Sequence, residues 1–219
     1  MKYLLFILFP FTILFAQDRY GNPQNGVFDN NMDFFAMAKV QNKSNTNYIE
    51  GIKGSIYLFD TWDKCIIIPS NDTSNFAVPC NYNVYSDQFE LKVDDDKYIL
   101  NEDSIESIRI GQKIFKPSNN IVDAKYIQFL AQGNAIKVVR VFKAKIIEGQ
   151  TSTLGLWESK LKVNEIDYFV MSDGSFMKVP SSKSKIFNIL NLSQDQRKTY
   201  KKYNLNKTEE LVHMIQSLQ

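Results

Sequence analysis

Two pairs of carboxylates stand at spacings that acid–base chemistry uses. Asp60 and Asp63 flank Trp62, and Asp87 and Glu90 lie three apart in an alternating stretch. Hydrolysis of a glycosidic bond needs two carboxyl groups facing one cleft, one as acid and the other as base or nucleophile. A tryptophan beside acids is also a stacking surface for a sugar ring, and it is equally the pattern of a strand end with a packed aromatic. Nucleophilic catalysis has one candidate base, His213, the single histidine of the chain. Flanked by Val212 and Met214 in an amphipathic stretch, it has the setting of a structural histidine. Asp94, Asp95 and Asp96, with Glu102 and Asp103, hold enough oxygens for calcium. They lack the glycine of a calcium loop, so a solvated turn is expected. Two cysteines and a distant histidine cannot supply four soft ligands, so neither a metal nor a cofactor is expected.

Contact with a ligand asks less of the residues than catalysis does. Trp62, Asp60, Asp63, Tyr85 and Asp87 are the candidates, because Tyr and Trp offer large contact area at low entropic cost. A second candidate is electrostatic. Residues 134–219 carry 14 basic and 8 acidic side chains, whereas residues 1–133 carry 12 and 16. Within the basic half, Arg197, Lys198, Lys201 and Lys202 crowd together with Tyr200 and Tyr203. Such a stretch suits an anionic lipid headgroup or an acidic partner, and it also suits a solvated helix face.

Composition bounds what can hold these groups in place. The chain has 219 residues, 44% of them hydrophobic, with 26 Lys+Arg against 24 Asp+Glu. That supports a core and excludes wholesale disorder. A near-neutral balance argues against a dedicated nucleic-acid binder, which needs a basic surplus. Between residues 49 and 180 the apolar residues recur at period two, as in Phe89, Leu91 and Val93 opposite Gln88, Glu90 and Lys92. Turn residues recur at Asp94-Asp95-Asp96, Gly111-Gln112, Gly133-Asn134 and Asp173-Gly174. The pattern predicts about ten strands: a mainly β, antiparallel, hairpin-rich sandwich, roll or barrel. A strand is expected across residues 52–58, one long strand across 81–93, and two across 156–163 and 166–171. Residues 181–219 change period and predict a short helical tail packed on the sheet. Ser193 with Gln196, and Asn206 with Glu209, have capping-box spacing.

The ends and the cysteines set the expected compartment. Lys2 precedes an apolar run from Tyr3 to Phe15, too short to span a bilayer, and Gln17-Asp18-Arg19 follows. Residues 1–16 read as a signal peptide, with the cut expected between Ala16 and Gln17. Residues 17–48 form a polar, partly ordered segment in which Met32–Ala38 is a short piece that docks on the body. No second membrane span is expected. In an oxidising compartment Cys65 and Cys80 either form a disulfide or remain two buried thiols.

Gly54–Trp62, Asn81–Glu90 and Tyr168–Val170 before Asp173-Gly174 resemble a group of secreted β-rich proteins of bacterial envelopes. The resemblance covers roughly residues 50–218. It implies secretion and an all-β body with a helical tail, and because the group has no established activity it implies no catalytic residue. The expectation is therefore a non-catalytic periplasmic or outer-membrane-associated protein of a Gram-negative bacterium. It would bind a partner protein, a lipid or a glycan. The alternatives are a carboxylate-based hydrolase and a structural subunit of an envelope assembly.

Overall fold

The computed structural model describes residues 38–40, 49–70, 75–94, 96–149 and 158–218. The expected signal peptide lies outside the described residues, as does most of the segment up to residue 48. The twelve strands are β1 (Ala38–Val40), β2 (Ile52–Lys53), β3 (Asp63–Pro69), β4 (Phe76–Asn83), β5 (Gln88–Val93) and β6 (Asp96–Leu100), then β7 (Ile105–Ile110), β8 (Lys113–Pro117), β9 (Tyr126–Gln132), β10 (Ile136–Ile147), β11 (Ser159–Met171) and β12 (Phe176–Lys178). Among the described residues three helices follow: α1 (Lys183–Ile189), α2 (Gln194–Tyr200) and α3 (Thr208–Gln216). The strands form one sheet in the order β1-β6-β5-β4-β3-β7-β8-β9-β10-β11-β12. β2 pairs with β11 in parallel, and the other neighbours are antiparallel.

This sheet is rolled upon itself. Neighbouring strands lie about 4.8 Å apart, so five steps along a flat sheet would span roughly 24 Å. Phe89 on β5 and Tyr126 on β9 are five steps apart, yet their ring centroids are 4.9 Å apart. Tyr82 on β4 and Phe142 on β10 are likewise five steps apart and 6.1 Å in space. These rings, with Phe115, Ile67, Ile108 and Leu91, make the main core. The chain before β3 links the two sides. β2 is bonded to Ser159–Lys160 of β11, while Leu58 N donates to Tyr82 O (2.9 Å) and Val84 N to Ile56 O (2.8 Å) beside β4.

The helices cover one end of the inner surface. Ile186, Phe187, Leu192, Tyr200, Leu211, Met214 and Ile215 pack on Ala131, Ile136, Val138 and Phe169 of β9–β11. Ser193 and Gln196 form the expected capping box, with Gln196 N to Ser193 Oγ at 3.3 Å and Ser193 N to Gln196 Oε1 at 2.9 Å. Asn206 does not cap α3, whose N-cap is Lys207 without a side-chain bond. Between the two cores Arg140 on β10 is engaged by Asp167 and Glu165 of β11 and by Thr208 of α3. Its Nε lies 2.7 Å from Asp167 Oδ1. The bond to Asp167 raises the guanidinium pKa against the opposing effect of burial. This polar joint fastens the tail to the sheet.

Four expected strands differ from the structure, at three places, and residues 156–157 of one of them lie outside the described residues. Only Ile52–Lys53 of the alternation in 52–58 is a strand, with a single bridge at Tyr57 to Asn83. The long strand expected over 81–93 is broken by a turn at Val84–Asp87, where Asp87 takes φ 54°. The two strands expected within 156–171 are one, because β10 pairs with β11 continuously from Ile136–Met171 to Ile147–Lys160.

Candidate functional site

Trp62 lies in the loop between β2 and β3, which pairs edge-on with β4 at Tyr57–Asn83 and sends the Tyr57 and Trp62 rings toward Lys97 of β6. Gly54 starts that loop at φ 111°, where a Cβ would stand 3.1 Å from Leu161 O. A side chain there would be strained and crowded. Asn81 ties the loop down. Its Nδ2 donates to Phe59 O (2.8 Å) and Thr61 O (3.1 Å), and its Oδ1 accepts from Phe59 N (3.2 Å).

Under the loop Glu90, 1% exposed, accepts from Tyr57 Oη (2.6 Å) and Asn83 Nδ2 (2.7 Å). Lys97 Nζ donates to Tyr57 Oη at 3.1 Å and stands 5.4 Å from both the Tyr57 and Trp62 ring centroids. The Tyr57 and Trp62 rings meet edge-on at 5.2 Å. Burial, reinforced by the Glu90 hydrogen bond and charge, pushes the Tyr57 hydroxyl far above its ordinary pKa, so it stays a donor. Trp62 thus roofs a satisfied polar cluster.

The paired carboxylates fall in different places. Asp60 and Asp63 are exposed beside the loop, and Asp63 Oδ1 accepts from Thr61 Oγ1 at 2.8 Å. Asp87 accepts from the Tyr82 hydroxyl and, at 2.8 Å, from Lys125 N. Tyr82 belongs to the inner aromatic core, whereas Glu90 is held on the outer face, so Asp87 and Glu90 work on opposite sides of the sheet. Tyr85 projects from the β4–β5 turn, 55% exposed. The structure therefore joins Trp62 with Tyr57, Lys97 and Glu90, and it assigns Asp87 to fastening a turn. Asp94 stands at φ 52° in the β5–β6 turn, Asp95 lies outside the described residues, and Glu102 pairs with Lys125 at 3.4 Å.

Three of the four basic side chains of the tail have local contacts. Arg197 Nε donates to Leu192 O (2.9 Å), Lys198 pairs with Asp195 (3.0 Å), and Lys202 lies 5.9 Å from the Tyr203 ring centroid. Lys201 is exposed near the end of α2, where its carbonyl accepts from Lys183 Nζ (2.7 Å). His213 is exposed, stacks on Tyr203, and has Nδ1 3.1 Å from the Tyr203 hydroxyl. Cys65 and Cys80 are bonded to each other and wholly buried.

A second cationic surface was not singled out by sequence reasoning. At the far end of the β10–β11 ribbon, Lys143 faces Asn164, Lys145 faces Lys162 and Ile147 faces Lys160 across the strands. Paired residues share a face, so these six form one patch, and Lys53 of β2 adjoins Lys160. Its signal is visible in retrospect: Lys143-Ala144-Lys145 and Lys160-Leu161-Lys162 place lysine at every second residue. Neither run is dense in one-dimensional charge, and only the pairing superposes them.

The chain matches no protein-family model, no curated protein and no solved structure.

Proposed function

We propose that this is a non-catalytic binding protein of a bacterial envelope, exported to an oxidising compartment, that acts by holding a partner protein, lipid or glycan on its β surface. One observation carries the reading. The chemically suggestive groups are absorbed in structural bonds: Glu90 with Tyr57 and Asn83, Asp87 with Tyr82 and Lys125, His213 with Tyr203. The exposed large apolar side chains meanwhile include Ile146, Ile147, Phe176, Met177 and Tyr85. Export is supported by the leader-like residues 1–16 and by the Cys65–Cys80 bond. Native mass spectrometry of the protein gently isolated from its own envelope tests this. A retained lipid, sugar or subunit on a chain starting at Gln17 is expected. A chain retaining residues 1–16, free of any companion and active on a glycoside would overturn the reading.

A structural-subunit reading is favoured by one feature. β12 is last in the sheet order, all three of its residues are exposed, and Phe176 and Met177 lie on it. Such an edge is a site for strand addition. Self-association abolished by Lys178→Pro, a position whose N–H faces away from β11, would support that role.

A further inference from the structure

We infer that the end of the β10–β11 ribbon is a docking surface for an anionic lipid bilayer. This rests on the binding reading above and names the partner of that surface.

Charge is the first argument. Two lysines of the patch are already neutralised, Lys143 by Asp123 (3.3 Å) and Lys53 by Glu158 (2.7 Å). Lys145, Lys160 and Lys162 are exposed and make no ion pair or hydrogen bond with a described residue. Glu148 lies one residue past the end of β10 and forms an ion pair with none of them. Three ammonium groups therefore share one face with no carboxylate of their own. Two of them, Lys145 and Lys162, are directly opposed across the strands. Opposed like charges destabilise a sheet. An anionic surface converts that repulsion into attraction.

Shape and polarity supply the second argument. Ile146 and Ile147 end β10 and are 38% and 44% exposed, one on each face of the ribbon. Ile147 lies on the lysine face, directly across from Lys160, so apolar contact and ammonium groups are offered together, as a headgroup region takes them. Lysines act here as mobile point charges, suited to a diffuse lipid surface rather than to one fixed anion.

Vesicle co-sedimentation of the purified protein tests this. Vesicles of phosphatidylcholine alone are compared with vesicles containing phosphatidylglycerol. Binding to the anionic vesicles only is expected, weakening with salt. Lys145→Glu with Lys162→Glu keeps a like-charge pair, so its melting point should match the wild type, while its vesicle affinity falls roughly 30-fold or more. Ile146→Ser with Ile147→Ser should weaken binding at unchanged charge. Equal binding by the charge-reversed variant, or equal binding to neutral vesicles, would overturn the inference. So would retention on dextran sulfate without vesicle binding. No vesicle binding together with a retained protein or glycan in native mass spectrometry would overturn the lipid assignment and leave the binding reading intact.

Discussion

Reduction of the Cys65–Cys80 bond should destabilise the protein mainly through its unfolded state. The two residues are 15 apart in sequence, with Cα atoms 5.7 Å apart. β3 and β4 already bring them together, since Asp63 pairs with Cys80 and Cys65 with Val78. The folded sheet keeps that pairing with or without the bond, so the bond's effect falls on the freedom of the unfolded chain. A loop of this length corresponds to about 3 kcal/mol. For a chain of this size that is a fall of roughly 6–12 °C in melting temperature. Both sulfurs are buried in the main core, so reduction requires unfolding first. The assay compares urea unfolding of the oxidised protein with protein unfolded, reduced and refolded under a phosphine reductant. This keeps both sulfur atoms and isolates the cross-link. The expected result is a lower midpoint and a steeper dependence on urea, because the released chain expands further. A loss below about 1 kcal/mol with an unchanged slope would refute the reasoning. Failure of the reduced chain to refold would show instead that the core around Ile67, Val78 and Leu91 cannot hold β3 to β4 unaided.

Arg140→Ala should cost about 3 kcal/mol, because it leaves the mostly buried Asp167 without its cation. Asp167→Ala should cost a similar amount, with the double variant well short of the sum. Additive losses in urea unfolding would show that the two do not act as a pair. Gln128, 7% exposed, has an Oε1 with no partner among the described residues, so Gln128→Met should raise stability by about 1 kcal/mol. A decrease would indicate that the amide is satisfied in solution. Lys145→Glu places opposite charges across from each other at Lys162 and should stabilise by about 0.5 kcal/mol, a gain that disappears in concentrated salt. A salt-insensitive change in melting temperature would exclude that electrostatic origin.

The hairpins were legible because their signals are local. Gly111-Gln112 joins β7 to β8, Gly133-Asn134 joins β9 to β10, and Asp173-Gly174 precedes β12. The alternation of Phe89 and Leu91 with Glu90 survives as inner and outer faces of β5. The β4–β5 turn was hidden because it contains neither glycine nor proline. Its signal was Asn83, whose Oδ1 accepts from Tyr85 N and Ser86 N, both at 3.1 Å, in the manner of an Asx turn. Residues 54–58 alternate like a strand but serve as a cover, with Ile56 and Tyr57 buried in a separate cluster with Leu161. The alternation misled here, because Ile56 and Tyr57 are adjacent and both buried, and only Tyr57 bridges to β4. The candidate site was less legible. Trp62 was named without Tyr57 of its own loop, or Glu90 of β5 and Lys97 of β6, as its neighbours.

Sequence alone determined the strand-rich class, most of the turns, the α2 cap and the presence of two cysteines able to bond. Each depends on a few adjacent residues: side-chain alternation, turn chemistry, a hydroxyl three positions from a glutamine. Tertiary structure decided the rest. Rolling the sheet brought Phe89 against Tyr126, the β4–β5 turn set Asp87 and Glu90 on opposite faces, and the pairing of β3 with β4 set Cys65 against Cys80. Pairing β10 with β11 placed Lys145 across from Lys162, 17 residues apart in the chain and adjacent in space. Charge and apolar area act through distance in space, and only the closed fold sets those distances.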